Sequence, residues 1–258
     1  MKDIIFRCSS LGYIMPSEKA RKDFTDTQIA ALVKIYTEQI EGRREEISSE
    51  YLTKGHEREE DGITLLSRVQ KILFKKNEVR LTNEYISGLP DLFLGENVEN
   101  ATEIYDIKNS WSRITFNTTR VRSLKPIYTW QMHGYMELTG AKCATVAFTL
   151  VNGTANVIMG EKKKAAWNST YLDVSQDPAY VELCRQIEIN HIFDIEHFVN
   201  ENPGFDFDNN VAEWLDKKTW DIPMDKRLFL FKLERDEKAI DAIYARVKEC
   251  REWINNNL

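Results

Sequence analysis

Gly88-Leu89-Pro90-Asp91, followed after a short gap by Tyr105-Asp106-Ile107-Lys108, is the stretch that decides how this chain reads. One strand ends in a carboxylate, and the next carries a carboxylate and a lysine two residues apart. Side chains on a strand alternate faces, so Asp106 and Lys108 point the same way while Ile107 points into the core. Hard divalent cations such as Mg²⁺ take oxygen ligands from one or two carboxylates and keep positions open for water and a substrate phosphate. A lysine beside such a cation polarises the attacking water or offsets charge building on the phosphate. These residue types in this order suit metal-assisted cleavage of a phosphodiester bond.

Outward from that stretch, residues 79–87 read as a strand with Leu81, Tyr85 and Ile86 apolar. Residues 92–94 continue into a second strand, 95–101 form a turn rich in Asn and Glu, and 103–108 make a third strand. A helix is predicted over 127–139, ending at Gly140. Residues 143–151 read as a buried β run, with Asn152-Gly153 as a hairpin turn and 154–159 as the returning strand. Upstream, Thr25-Asp26-Thr27-Gln28 has capping-box spacing ahead of Ile29, Leu32, Val33, Tyr36 and Ile40. The charged stretch 41–50 leads into a helix carrying Glu59. Downstream, Asp177-Pro178 opens a helix running toward Phe198, and 201–219 reads as irregular. A final helix aligns Ile240, Ile243, Tyr244, Val247 and Ile254 on one stripe.

The 258 residues fit one large domain, 42% apolar and 29% charged, an ordinary globular balance. No apolar run approaches the roughly 20 residues of a membrane helix, and Met1-Lys2-Asp3-Ile4-Ile5-Phe6-Arg7 lacks a signal peptide's apolar region, which predicts a cytoplasmic chain. Cys8, Cys143, Cys184 and Cys250 lie far apart with no Cys-x-x-Cys pair. That spacing argues against a zinc site, a disulfide framework or an iron–sulfur cluster and predicts buried free thiols.

The net charge of −6 runs against a nucleic-acid partner, because phosphate binding is driven largely by Lys and Arg. Distribution counts for more than the sum. From Ile107 to Met136 there is no acid, but there are Lys108, Arg113, Arg120, Arg122 and Lys125, interleaved with Trp111, Phe116, Tyr128 and Trp130. A basic stretch with aromatics directly after the proposed active strand predicts DNA contact, the aromatics stacking on unpaired bases. Lys162-Lys163-Lys164 reads as a solvated turn, and His191, Asp194 and His197, at spacings that do not share a helix face, are not expected to hold a metal.

Gly88-Leu89-Pro90-Asp91 with Asp106-Ile107-Lys108 resembles the PD-(D/E)XK nuclease signature, with Asp in the variable position. Two further motifs resemble its phage lambda exonuclease-like (viral recombination nuclease) branch. They are Gly55-His56-Glu57-Arg58-Glu59, similar to a Gly-x-x-x-Glu helix, and Tyr128-Thr129-Trp130-Gln131, similar to a Tyr-x-x-Gln helix. Less specifically, Ile222-Pro223-Met224-Asp225-Lys226-Arg227 before the last helix also resembles this branch.

The resemblance implies an α/β (α+β) fold with a restriction-endonuclease-like core. A central mixed β-sheet in the order α-β-β-β-α-β is flanked by helices, with additional C-terminal helices. One nuclease domain is expected, its core at about 54–160, with 1–53 and 161–258 as helical decorations. The resemblance also implies one or two Mg²⁺ ions, Mn²⁺ substituting, held by Asp91, Asp106, Glu59 and the carbonyl of Ile107. Lys108 is the implied catalytic lysine, and Gln131 is expected to bond the lysine, the water or a phosphate. Glu60 is the alternative to Glu59, and His56 reads as a bystander. Arg113, Arg120, Arg122, Lys125, Trp111 and Tyr128 are the expected DNA contacts. Relatives of this kind degrade one strand of duplex DNA, hand the other to a single-strand annealing protein, and in some cases form rings. The setting so implied is the cytoplasm of a bacterial host. An endonuclease with the same core, or an inactive DNA-binding protein on it, are the alternatives.

Overall fold

A computed structural model describes residues 4–16, 24–44, 57–167 and 173–258, to which the following refers. Gly55 and His56 of the upstream motif lie outside the described residues. Elements are numbered among the described residues.

The centre is a four-stranded mixed sheet in the order β4-β5-β6-β7: β4 Leu92–Leu94, β5 Glu103–Asn109, β6 Cys143–Thr149 and β7 Leu228–Glu234. β5 and β6 run parallel, with Asp106 opposite Val146, while β4 and β7 flank them antiparallel. A parallel pair needs a crossover. It is supplied by α4 (Arg113–Arg120) and α5 (Pro126–Thr139). Pro126 opens α5 and Gly140, at φ 74°, closes it in the left-handed region that favours glycine.

The two faces of the sheet are covered by different helices. On one, α5 packs Met132, Tyr135 and Met136 over Ile104, Val146 and Phe148. On the other, Ile63 and Leu66 of α3 (Glu59–Gln70) cover Tyr105, Ile107 and Ala147. The alternation along β5 therefore turns Ile107 toward α3 and leaves Asp106 and Lys108 on the α5 face, as their spacing predicted.

A second, three-stranded sheet joins β1 (Phe6–Arg7), β3 (Ile86–Gly88) and β2 (Leu81–Thr82), so residues 79–87 form a hairpin rather than one strand. The side chain of Asn83 makes its turn, accepting the backbone N–H of Tyr85 and of Ile86. Helix α1 (Leu11–Ile14) follows the first strand. The capping box forms as predicted, with Thr25 and Gln28 exchanging bonds at the start of α2 (Asp26–Gln39).

Three further expectations fail. Residues 154–159 do not return as a strand: Thr154 caps α6 (Ala155–Ala166). Both edges of β6 are already taken, by β5 and β7, and Asn152 is spent on tertiary bonds. Its side chain accepts from Phe193 N (2.8 Å) and Asp194 N (3.1 Å) and donates to Asp194 O (2.9 Å). The lysine run is not a solvated turn but the last part of α6, and Lys162 pairs with the fully buried Glu188 (2.7 Å) and with Asp208 (2.6 Å). The stretch expected to be irregular holds α9 (Val211–Lys217), whose Trp214 is fully buried. The helix toward Phe198 divides into α7 (Pro178–His191) and α8 (Ile195–Glu201), and the chain closes with α10 (Glu237–Asn257). Cys8, Cys184 and Cys250 are buried free thiols, and Cys143 is half-buried. Among the described residues no helix is long and apolar enough to cross a membrane.

Candidate active site

Asp91 stands immediately before β4, at the point where the ladder to β5 has not yet begun. Its Oδ2 accepts the backbone N–H of Ile107 at 2.7 Å, taking the bond that another strand residue would have made. A residue's N–H and C=O face the same neighbour in a ladder, so the Ile107 carbonyl shares the Asp91 edge. On the sheet face beside it, Asp106 is 1% exposed. Its Oδ1 accepts from Gln131 Nε2 at 3.0 Å, and its Oδ2 lies 2.6 Å from Lys108 Nζ without an aligned hydrogen bond. Gln131 also donates to the Tyr135 hydroxyl at 3.0 Å. The Tyr128 ring lies 5.4 Å from Lys108 Nζ.

Burying these charges together moves their titration. Burial first, then the Asp106 charge, raises the Asp91 carboxyl to about 7, against the opposing pull of Lys108 and the Ile107 N–H. Burial opposes the Lys108 ammonium, but Asp106 and Asp91 outweigh it and hold its pKa above the usual lysine range. Burial pushes the Tyr135 hydroxyl upward as well, so it stays protonated as Gln131's partner.

Glu59 opens α3 and acts on Asp91 through its charge, raising that carboxyl further. Gly62, one turn on, lets α3 approach: a Cβ there would meet Asn109 Oδ1 at 2.6 Å and Ile107 Cγ2 at 2.8 Å. The Glu59 side chain is 23% exposed and the Glu60 side chain 73%, so Glu59 is the one turned inward. Asp106, Lys108 and Gln131 are thus brought together with Tyr128 alongside, Asp91 on the neighbouring Ile107 N–H, and Glu59 acting on Asp91 through its charge.

The expected DNA contacts divide. Arg120, Arg122 and Lys125 are exposed on α4 and the segment after it. Arg113 donates to the Lys226 carbonyl and lies over the Phe116 ring. Of the aromatics, Phe116 is fully buried, whereas Trp111, Tyr128 and Trp130 are half-buried, Trp111 packing edge-on to His191. On a helix with a 3.6-residue period, interleaving with arginines sorts Phe116 to the inner face of α4.

Three residues to which the sequence reading assigns no role matter here. Lys76 reaches Glu59 at 3.2 Å, and the buried Asn77 donates to the Pro90 carbonyl at 2.9 Å. Arg58, also buried, bridges Asp61 (2.8 Å) and Glu201 (2.7 Å), whose other oxygens face His197. Asp61, His197 and Glu201 are a metal-like trio among the described residues, with ligand atoms within 4.8 Å of one another. Arg58 already supplies a cation to that trio, which joins α3 to α8.

The fold is one shared with exonucleases of known structure. Two solved structures carry that statement. A phage-related exonuclease from Haemophilus somnus 129PT superposes with a TM-score of 0.66 at 23% identity, over 97% of this chain and 93% of that one. The alkaline exonuclease LHK-Exo from Laribacter hongkongensis gives 0.56 at 13% identity, over 99% and 93%. The same LHK-Exo solved in complex with dAMP gives 0.57 at 15%, over 98% and 89%. No protein-family model matches the chain, and no curated protein matches it in sequence.

Proposed function

We propose that this protein is a divalent-cation-dependent deoxyribonuclease acting on the ends of duplex DNA. One observation carries the reading: two carboxylates, the half-buried Asp91 and the buried Asp106, stand on either side of Ile107 with the Lys108 ammonium 2.6 Å from one of them. The names of the structures that share the fold support it, each being an exonuclease. The residues fit a hard cation. The donors are carboxylate oxygens and a backbone carbonyl, and Asp106 Oδ2 is buried with no aligned hydrogen bond, leaving a lone pair to offer. When bound, Mg²⁺ or Mn²⁺ supplies a Lewis acid that lowers the pKa of a coordinated water and neutralises phosphate charge.

The chain's own residues do the remaining work. Asp91 and Asp106, with Glu59 and the Ile107 carbonyl, would hold the cation. Gln131 fixes the Asp106 carboxylate from behind, so that its Oδ2 stays turned toward Lys108. Lys108 orients the attacking water and offsets charge on the phosphate. Arg120, Arg122 and Lys125 hold the DNA backbone. Mg²⁺, DNA and a cytoplasmic bacterial setting belong to this proposal, as do the roles of Arg113, Trp111 and Tyr128 at the DNA.

The test is to incubate the protein with linear duplex DNA and with the same DNA as a closed circle, with Mg²⁺ or with EDTA, beside Asp106→Asn. Mg²⁺-dependent loss of the linear form alone, absent in Asp106→Asn, is the expected result. Cutting of the circle identifies an endonuclease, and binding without any cutting an inactive core.

A further inference from the structure

The three carboxylates of the site do not converge. Oxygens of Glu59, Asp91 and Asp106 are not all within the 4.8 Å span that brings Asp61, His197 and Glu201 together. Each is held by its own partner: Asp106 by Lys108 and Gln131, Asp91 by the Ile107 N–H, and Glu59 by Lys76 at 3.2 Å.

The Lys76 partnership is built into the backbone. Lys76 bridges Leu92, and Asn77 N donates to the Asp91 carbonyl at 2.7 Å. The Asn77 side chain, 4% exposed, donates to the Pro90 and Val79 carbonyls and accepts from Val79 N. The lysine's main chain is therefore fixed to the segment that presents Asp91. Its ammonium, on a side chain 40% exposed, also reaches Glu60 at 3.5 Å. Glu60 is next to Glu59 in sequence and mostly in solvent, so it gives the ammonium a second partner away from the site.

We infer that Lys76 is a positioning residue that holds Glu59 off the cation site and passes to Glu60 when a divalent cation enters. This rests on the reading that Asp91 and Asp106 hold such a cation. An ammonium paired to the Glu59 carboxylate competes with a cation for it, and a fixed positive charge beside the site repels a second one. The Lys76 pair is partly exposed, so exchanging one carboxylate for the other is cheap. The exchange makes the third ligand conditional on cation entry.

The experiment is Mn²⁺ titration calorimetry on the full chain without DNA, for wild type, Lys76→Gln, Lys76→Arg, Glu59→Gln, the Lys76→Gln/Glu59→Gln double variant and Asp106→Asn. Lys76→Gln is expected to bind Mn²⁺ at least threefold more tightly than wild type, with Lys76→Arg within twofold of wild type. The gain is expected to disappear in the Glu59→Gln background, since coupling through Glu59 is non-additive. Unchanged or weaker binding by Lys76→Gln overturns the inference, as does an equal gain without Glu59, which would be charge repulsion alone. Binding by Asp106→Asn as tight as wild type would instead sink the cation reading, whatever Lys76 does.

Discussion

At the scale of single residues, Asp91 is a group through which pH acts on this protein. Its carboxyl stands at about 7 in the folded chain against an ordinary 3.8, because burial and Asp106 disfavour its charge. The folded state therefore holds a proton there that the unfolded state has lost. The stabilising contribution is whole below about 3.8, declines as pH rises, and is gone above about 7. Asp91→Asn, which keeps an oxygen for the Ile107 N–H and never ionises, is expected to gain in melting temperature over wild type as pH goes from about 5 to 8 in EDTA. A difference that does not change with pH would contradict the shift. A cation needs the carboxylate, so binding expels the proton. Mn²⁺ affinity measured by calorimetry is expected to fall below pH 7, approaching about tenfold per unit for one proton. Lys108→Ala is expected to keep Mn²⁺ binding and lose most turnover, measured as cleavage of an end-labelled duplex; normal turnover would remove its assigned role.

At the scale of elements, what matters is how closely α3 lies on β5 and β6. Gly62 allows that approach, and a Gly62→Ala methyl would sit 2.6 Å from Asn109 Oδ1 and 2.8 Å from Ile107 Cγ2. Neither neighbour is the free end of a long chain: the Asn109 amide is bonded to the Arg58 carbonyl, and Ile107 is buried. The helix must move outward, carrying Glu59 with it. The expected cost is about 1–3 kcal/mol by chemical denaturation, with weaker Mn²⁺ binding. The α6 connection depends similarly on Asn152. Asn152→Ala leaves the N–H of the buried Phe193 without its side-chain acceptor and should cost about 1–3 kcal/mol, checked by the same melts.

Across the whole molecule, the two ends of the described chain close one core. Ile240, Ile243, Val247, Cys250 and Ile254 of α10 are buried, and the main core cluster joins the last four to Phe6, Leu11 and Ile14. Arg246 and Arg251 donate to the carbonyls of Ile14 and Ile4. The sheet itself depends on the C-terminal third, because β7 pairs along the full length of β6. A chain ending at residue 160 would expose the β6 edge and the apolar face that α10 covers. It is expected to show no cooperative melt, and a sharp transition in that truncation would mean the core stands alone.

Much of this could be read in the residues in order. Asp91, Asp106 and Lys108 are bound to their strands by local alternation, and the Thr25 box, the Pro126 start and the Gly140 stop act within a turn of themselves, so short-range chemistry was enough to locate them. The sequence by itself thus determined the strand carrying Asp106 and Lys108, the helix behind it and the acid-bearing helix before it. Tertiary structure decided what depended on distant partners. Residues 154–159 form a helix because β7, with its apolar run Leu228-Phe229-Leu230-Phe231, takes the edge a hairpin needs. Phe116 turned inward, Lys162 found a buried Glu188, and Lys76 was brought to Glu59 by a backbone bridge to Leu92. Local propensity acts over a few bonds, whereas burial and charge pairing act between residues that only the folded chain makes neighbours.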